Sequence, residues 1–513
     1  MERSTRVVLA IAALAFALAP AAAAAAQDPN KVSQKLRDAV TVGGIRAHQQ
    51  ALQNIATMNN GTRASGTPGY EASAAYVTRR LERAGYRPQR QEFSFKSFEE
   101  LAPATFARVS PDPRTYVDDE DFAIMSYAGS GDVTGTVTPV DVVLPPGPTA
   151  NTSTSGCETA DFTGFPAGNV ALLQRGTCEF AVKAQNAQAA GASAAVIFNE
   201  GQEGRQVTLL GTLGDDTTAT IPVLGASFAV GNELAGQAGA VVHITTSTKV
   251  ESTTSSNVVA QLAPANATTA GKVVLLGAHL DSVPEGPGIN DNGSGTATIL
   301  EIAEEMAAGK APRNPVRFAF WGAEEAGLIG STHYVASLSE QEGAKIGLNL
   351  NFDMLGSPNF VRFVYDGDGS AFGTAGPAGS DDIEHTFEAY FASRGRAIDP
   401  TAFDGRSDYK PFIDVGIPAG GLFSGAEGVK TATQQARFGG VTDEPYDRCY
   451  HKACDTYSNV STPGLRQLSD AAAHATAVYA ARAEPLAPAP TADAAGRSAA
   501  SRAATRLGDD EQR

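Results

Sequence analysis

Seven residues in the second half of the chain have the types and spacing to hold metal ions and move a proton. His279 and Asp281 stand in AHLDS, Asp291 in GINDNGSG, Glu324 and Glu325 in WGAEEAG, Asp353 in NFDMLGS and His451 in CYHKACD. Imidazole nitrogen and carboxylate oxygen are good zinc donors. A pair of such ions needs one bridging carboxylate with terminal ligands on either side. Each residue alone has an ordinary structural use. An Asp after a strand forms a turn or caps a helix, a lone His bonds in the core or at the surface, and a Glu pair is usually solvated. Their position argues against those uses, because the acids and the first histidine recur at the ends of successive expected strands.

Those strands follow from the apolar pattern. KVVLLGAHLDS reads as a strand, GSGTATILEIAEEMAAG as a helix, PVRFAFWGAEE as a strand and AGLIGSTHYVASL as a helix. IGLNLNFDM and FVRFVYDGD read as two further strands. Near-continuous apolar strands separated by helices predict an α/β fold with a mainly parallel sheet covered on both faces. In such sheets sites form beyond the carboxyl ends of the strands, where these residues would converge. The glycines around Asp291 let backbone approach the site closely. Upstream, 46–59 and 69–84 read as helices, and RPQRQEFSF alternates as a strand. From about Leu101 to Thr253 the chain turns rich in Gly, Thr and Pro, with short Val-rich strands. There NVALLQRG, FAVKAQNAQAAGA and AAVIFNEG read as strand, helix and strand. LRQLSDAAAHATAVYAARA is the expected last helix, and 484–513, rich in Ala, Pro and Arg, an expected disordered or processed tail.

At 513 residues, two domains plus tails is the starting expectation. Arg3 and Arg6 precede an apolar run from Val7 to Leu18, and small residues lead to Ala26. That is the layout of a signal peptide over 1–26, and the run is short for a bilayer span. A secreted, extracellular protein is expected. Four cysteines fit an oxidising compartment. Three pairings are possible, and proximity favours Cys157 with Cys178 and Cys449 with Cys454; no CxxC spacing suggests a thiolate zinc site. A net charge of −17 argues against nucleic acid and anionic membrane as partners, while cationic N-terminal amines meet no such repulsion.

Together AHLDS, GINDNGSG, WGAEEAGLIGS, NFDMLGSP, GRSD and DRCYHKACD closely resemble the secreted bacterial aminopeptidases with co-catalytic zinc, a family of the zinc-exopeptidase fold. The resemblance covers roughly 46–95 and 256–480. It implies two zinc ions per chain and hydrolysis at the N-termini of peptides and proteins, with large apolar first residues preferred. It implies that Asp291 bridges the ions, that His279 and Asp353 hold one, and that Glu325 and His451 hold the other. Glu324 would be the general base for the metal-bound water, and Asp281 would orient the His279 ring. Arg406 and Tyr450 match positions that assist substrate or transition-state binding, and Phe423 matches part of the first-residue pocket. Tyr409 departs from the family pattern, which often has histidine there. The stretch 105–252 is similar to a protease-associated domain, which leaves 27–104 and 253–483 as the zinc peptidase domain. Carboxypeptidase, glutaminyl cyclase and a non-catalytic receptor-like binding protein are the alternatives on this fold. A monomer is the expected state, and no residue pattern establishes a structural calcium ion.

Overall fold

The computed structural model describes residues 28–149, 151–202 and 205–483, so the expected signal peptide and tail lie outside the described residues. The larger body is built on one sheet. From its edge the strands run Asp399–Thr401, Phe363–Tyr365, Ala419–Phe423, Ile346–Phe352, Val273–His279, Val316–Trp321 and Val241–Leu262. The middle four are parallel, while Val241–Leu262 and Phe363–Tyr365 join antiparallel. Every residue of Val273–His279 and Ile346–Phe352 is buried, as strands covered on both faces require.

Alternation along the strands divides the core. Val274, Leu276 and Ala278 face the Val42–Met58, Pro68–Arg83, Gly293–Ala308 and Thr462–Ala481 helices, together with Leu52, Tyr70, Ile299 and Leu468. Leu275 faces the other way, against Trp321, Tyr334 and Phe412. The helices begin where their caps dictate. Thr41, Thr67, Asn292 and Ser461 each accept a backbone N–H of the first turn.

Two 22-residue strands, Gln89–Ser110 and Val241–Leu262, form an antiparallel ribbon that leaves this sheet. It carries a smaller α/β body with strands Gly131–Pro139, Val170–Gln174, Ala194–Phe198 and Val223–Ala226. The strand expected to end near Phe95 thus continues far beyond it, because its partner offers hydrogen bonds all the way. Register shifts fall on either side of Ala102, next to Pro103, which has no N–H to give. The ribbon passes residues 105 and 252 without a break. Disulfides join Cys157 to Cys178 in the smaller body and Cys449 to Cys454 in the larger one. Helices Pro29–Ala39, Ser380–Ser393 and Ala432–Phe438 have no counterpart among the expected elements.

Candidate active site

Three parallel strands deliver the key side chains. His279 ends one, Glu324 and Glu325 follow Trp321 at the end of the next, and Asp353 follows Phe352 on the third. Asp291 comes from the loop just before the Gly293–Ala308 helix. Ala323, Met354 and His451 take left-handed backbone, at φ 54°, 54° and 56°. The turns beside the acids and at the second histidine therefore carry local strain, as at many functional sites.

The side chains converge around Asp291. Its Oδ1 lies 3.1 Å from His279 Nε2 and its Oδ2 lies 3.2 Å from His451 Nε2. Asp353 Oδ1 is 3.2 Å from His279 Nε2, and Glu325 Oε2 is 3.0 Å from His451 Nε2. Asp291 thus offers one oxygen to each of two neighbouring donor sets. Atoms held 2.0–2.1 Å from a shared tetrahedral ion sit about 3.4 Å apart, so both sets are close to the spacing of a coordination sphere. Glu324 Oε2 stands 3.9 Å from His279 Nε2, beside the sets rather than inside one. Asp281 Oδ1 lies 3.6 Å from His279 Nδ1, on the far side of the ring, and accepts the Glu324 N–H at 3.3 Å.

The electrostatics call for cations. His279, Asp281, Asp291, Glu324, Asp353 and Asp408 are all buried, and one buried oxygen of Glu325, Oε1, has no protein partner. Buried carboxylates in such number are costly unless compensated. Burial pushes Glu324 well above the ordinary carboxylate range. Glu325, Asp408 and Asp353 add to this, while His279 opposes it. Burial alone would also raise Asp291, but the two imidazoles bonded to it hold it below that range. Burial would lower His451, yet Glu325 and Asp291 outweigh it and raise the imidazole to about 11.

Tyr450 stacks on the His451 ring with centroids 3.8 Å apart, and Arg406 Nη2 donates to its hydroxyl at 3.3 Å. Burial and the Asp291 charge push the Tyr450 phenol well up, so it stays a donor. The short Cys449–Cys454 loop carries both rings. Phe423 ends its strand and, with Met354, Tyr365, Ala402 and Ala426, lines a recess that the donor sets also line. Tyr409 is buried with its ring against Phe403 and against Tyr365 of the recess lining, and its hydroxyl bonds Asp404.

Several supporting residues other than the glycines around Asp291 had no role in the sequence reading. Ser407 Oγ donates to Asp353 Oδ2 at 2.6 Å and accepts from Asn351 at 2.8 Å, fixing the acid's outer oxygen. Both oxygens of Asp455 accept backbone N–H groups, from Asn290 and Asp291, each at 2.9 Å. Asn292 caps its helix and also ties the Asp291 loop to Phe352 and Met354. A Cβ on Gly295 would lie 2.0 Å from the Phe352 carbonyl, so this approach of helix to strand end requires glycine. Ser407 in GRSD, Asn292 in GINDNGSG and Asp455 in DRCYHKACD all stand within quoted motifs and were findable there.

Arg63 lies beneath the site, fully buried, with its guanidinium donating to the carbonyls of Leu280, Pro287 and Gly288. It staples the loop between Asp281 and Asp291. Arg63→Met would leave the Leu280 and Pro287 carbonyls without donors, while Gly288 keeps the Gly293 N–H. Stability should fall by at least about 2 kcal/mol, read from a urea midpoint. An unchanged midpoint would mean that the loop holds itself.

The fold and this constellation define a metallopeptidase of the α/β exopeptidase type. The match to the peptidase family M28 model spans 257–476, and the PA domain model matches 133–234. An aminopeptidase of Pseudomonas aeruginosa is 48% identical over 83% of this chain and 78% of its own length. A probable lipoprotein aminopeptidase of Mycobacterium tuberculosis is 43% identical over 87% of this chain and 86% of its own. Among solved structures, the aminopeptidase from Aneurinibacillus sp. strain AM-1 superposes with a TM-score of 0.70 at 26% identity, covering 89% of this chain and 98% of that one. The chain belongs to peptidase family M28 and is a metallo-aminopeptidase with an inserted PA domain. Among the described residues, no helix is long and apolar enough to cross a membrane.

Proposed function

We propose that this chain is a secreted di-zinc aminopeptidase that removes large apolar residues from the N-termini of peptides and proteins. The observation that carries this reading is Asp291, whose two oxygens face two imidazoles, each with a second carboxylate beside it. His279, Asp291 and Asp353 would hold one ion, and Asp291, Glu325 and His451 the other. A solved relative at 25% identity, TM-score 0.58, is titled a zinc aminopeptidase from Bacillus subtilis. Zinc bound in such a pair polarises the scissile carbonyl and makes water a stronger acid.

The chain's own residues do the rest. Glu324 takes the proton from the attacking water and passes it to the leaving amine. Asp281 holds the His279 ring in one tautomer. Tyr450, kept protonated by burial and steadied by Arg406, donates to the developing oxyanion. The acidic surroundings of Glu324 and Asp353 favour a free N-terminal amine, and the recess beside Phe423 takes the first side chain. Export rests on the N-terminal 1–26 pattern and on two disulfides. Five converging ligand positions with a base beside them argue against a single-zinc cyclase or a receptor without activity.

The test compares a leucine-first peptide with its N-acetylated form on protein whose metal has been quantified. Turnover of the free peptide alone is expected, with about two zinc ions per chain. A chelator should abolish turnover and zinc should restore it. Equal turnover of both peptides would indicate a carboxypeptidase or endopeptidase, and active protein holding a single ion would end the two-zinc reading.

A further inference from the structure

Above the catalytic residues lies a cleft of about 3030 Å³ between the catalytic face and the inserted body. Small-ligand pockets span about 300–1,000 Å³, so this space suits a polypeptide. Its walls are strongly acidic. Asp118, Asp119, Glu120 and Asp216 line it from the insert, and Glu285 from the loop just beyond Asp281. Sixteen of its lining residues are Asp or Glu and four are Lys or Arg. Two of those four, Arg406 and Lys410, are bonded to Glu427 and Asp414.

Charge alone would define no site. This cleft is one because it is continuous with the catalytic residues: Glu324, Glu325, Tyr450 and His451 line it too. The two walls also feel each other. Burial pushes the Glu100 carboxyl up, and Asp118, Asp119 and Glu285 push it further, so acids from both bodies face one space. Val207 and Leu210 of the insert, 71% and 59% exposed, line the same cleft. They offer an apolar surface for the stems of long cationic side chains.

We infer that this cleft seats the peptide beyond its first residue and selects chains carrying lysine or arginine there. The inference rests on the aminopeptidase reading and adds a substrate class to it. The insert then acts as a specificity wall, and the occupant is a cationic polypeptide segment. Nucleic acid would be repelled by the same acids. Electrostatic attraction of this kind raises capture of a cationic chain and weakens as salt screens it.

The experiment uses the full, zinc-loaded chain and three substrates: leucine amide, Leu-Ala-Ala-Lys-Lys and Leu-Ala-Ala-Glu-Glu. At low salt the lysine peptide should exceed the glutamate peptide by about tenfold in kcat/KM, each normalised to leucine amide. The ratio should shrink at about 0.5 M salt. Asp119→Asn, Glu120→Gln, Asp216→Asn and Glu285→Gln, combined, should bring it within about twofold. A variant carrying Asp38→Asn and Glu82→Gln, exposed acids outside the cleft, should keep it. Equal turnover of the two peptides by wild type, or a ratio untouched in the fourfold variant, overturns the inference. Failure on leucine amide would instead strike the aminopeptidase reading. Calorimetric binding of both peptides to Glu324→Gln protein tests the cleft without turnover, and equal affinities there would also overturn the inference.

Discussion

Glu324→Gln should fold normally, bind its full zinc complement and lose about 10²–10⁴-fold in kcat, the usual worth of a positioned general base. The amide is nearly isosteric but cannot take a proton. Its neighbour supplies the contrast. Glu325 Oε2 lies 3.0 Å from His451 Nε2, inside a donor set, whereas Glu324 approaches His279 Nε2 only to 3.9 Å. Glu325→Ala should therefore weaken one zinc site, and activity should fall with metal content. Bound zinc and kcat measured together on both variants decide between the two roles. If Glu324→Gln loses zinc while Glu325→Ala keeps it, the roles are reversed. If both keep zinc and full turnover, the site lies elsewhere.

The acids and histidines of the site were legible because each sits within a short motif, and most of these motifs fall at strand ends, where local pattern and chemistry coincide. His279, Glu324 and Asp353 needed only the apolar run before them. Their supports were less legible: Asp455, Ser407 and Asn292 stand inside the same motifs, but the groups they bond lie far along the chain. Arg63 bonds the Leu280 carbonyl, 217 residues away, and Asp455 bonds the Asp291 N–H, 164 residues away. Ser407 meets Asp353 only because two loops close over one strand end. The ribbon was half legible. Alternation marked RPQRQEFSF as a strand, but Pro103 and the glutamates before it broke the pattern while pairing continued. Pairing partners, rather than local propensity, set where such strands end.

Replacing the shared carboxylate should cost more than any other single change in the site. Among the described residues, Asp291 is the one whose oxygens face both histidines, at 3.1 Å and 3.2 Å. Loss of His279, Asp353, Glu325 or His451 would remove a donor from one set, but loss of Asp291 opens both. Asp291→Ala should hold less than one zinc per chain after dialysis, and kcat/KM should fall by more than about 10³-fold. Adding zinc should raise the Tm of wild type, because an ion bound only to the folded chain stabilises it. The variant's Tm should barely respond. The backbone around Asp291 is held independently by Asp455, so the change should not unravel the loop. A circular dichroism spectrum like that of wild type checks this. A variant that kept two zinc ions and the wild-type zinc response would mean that the two donor sets are filled without a bridge, and the paired-ion reading of the site would fail with it.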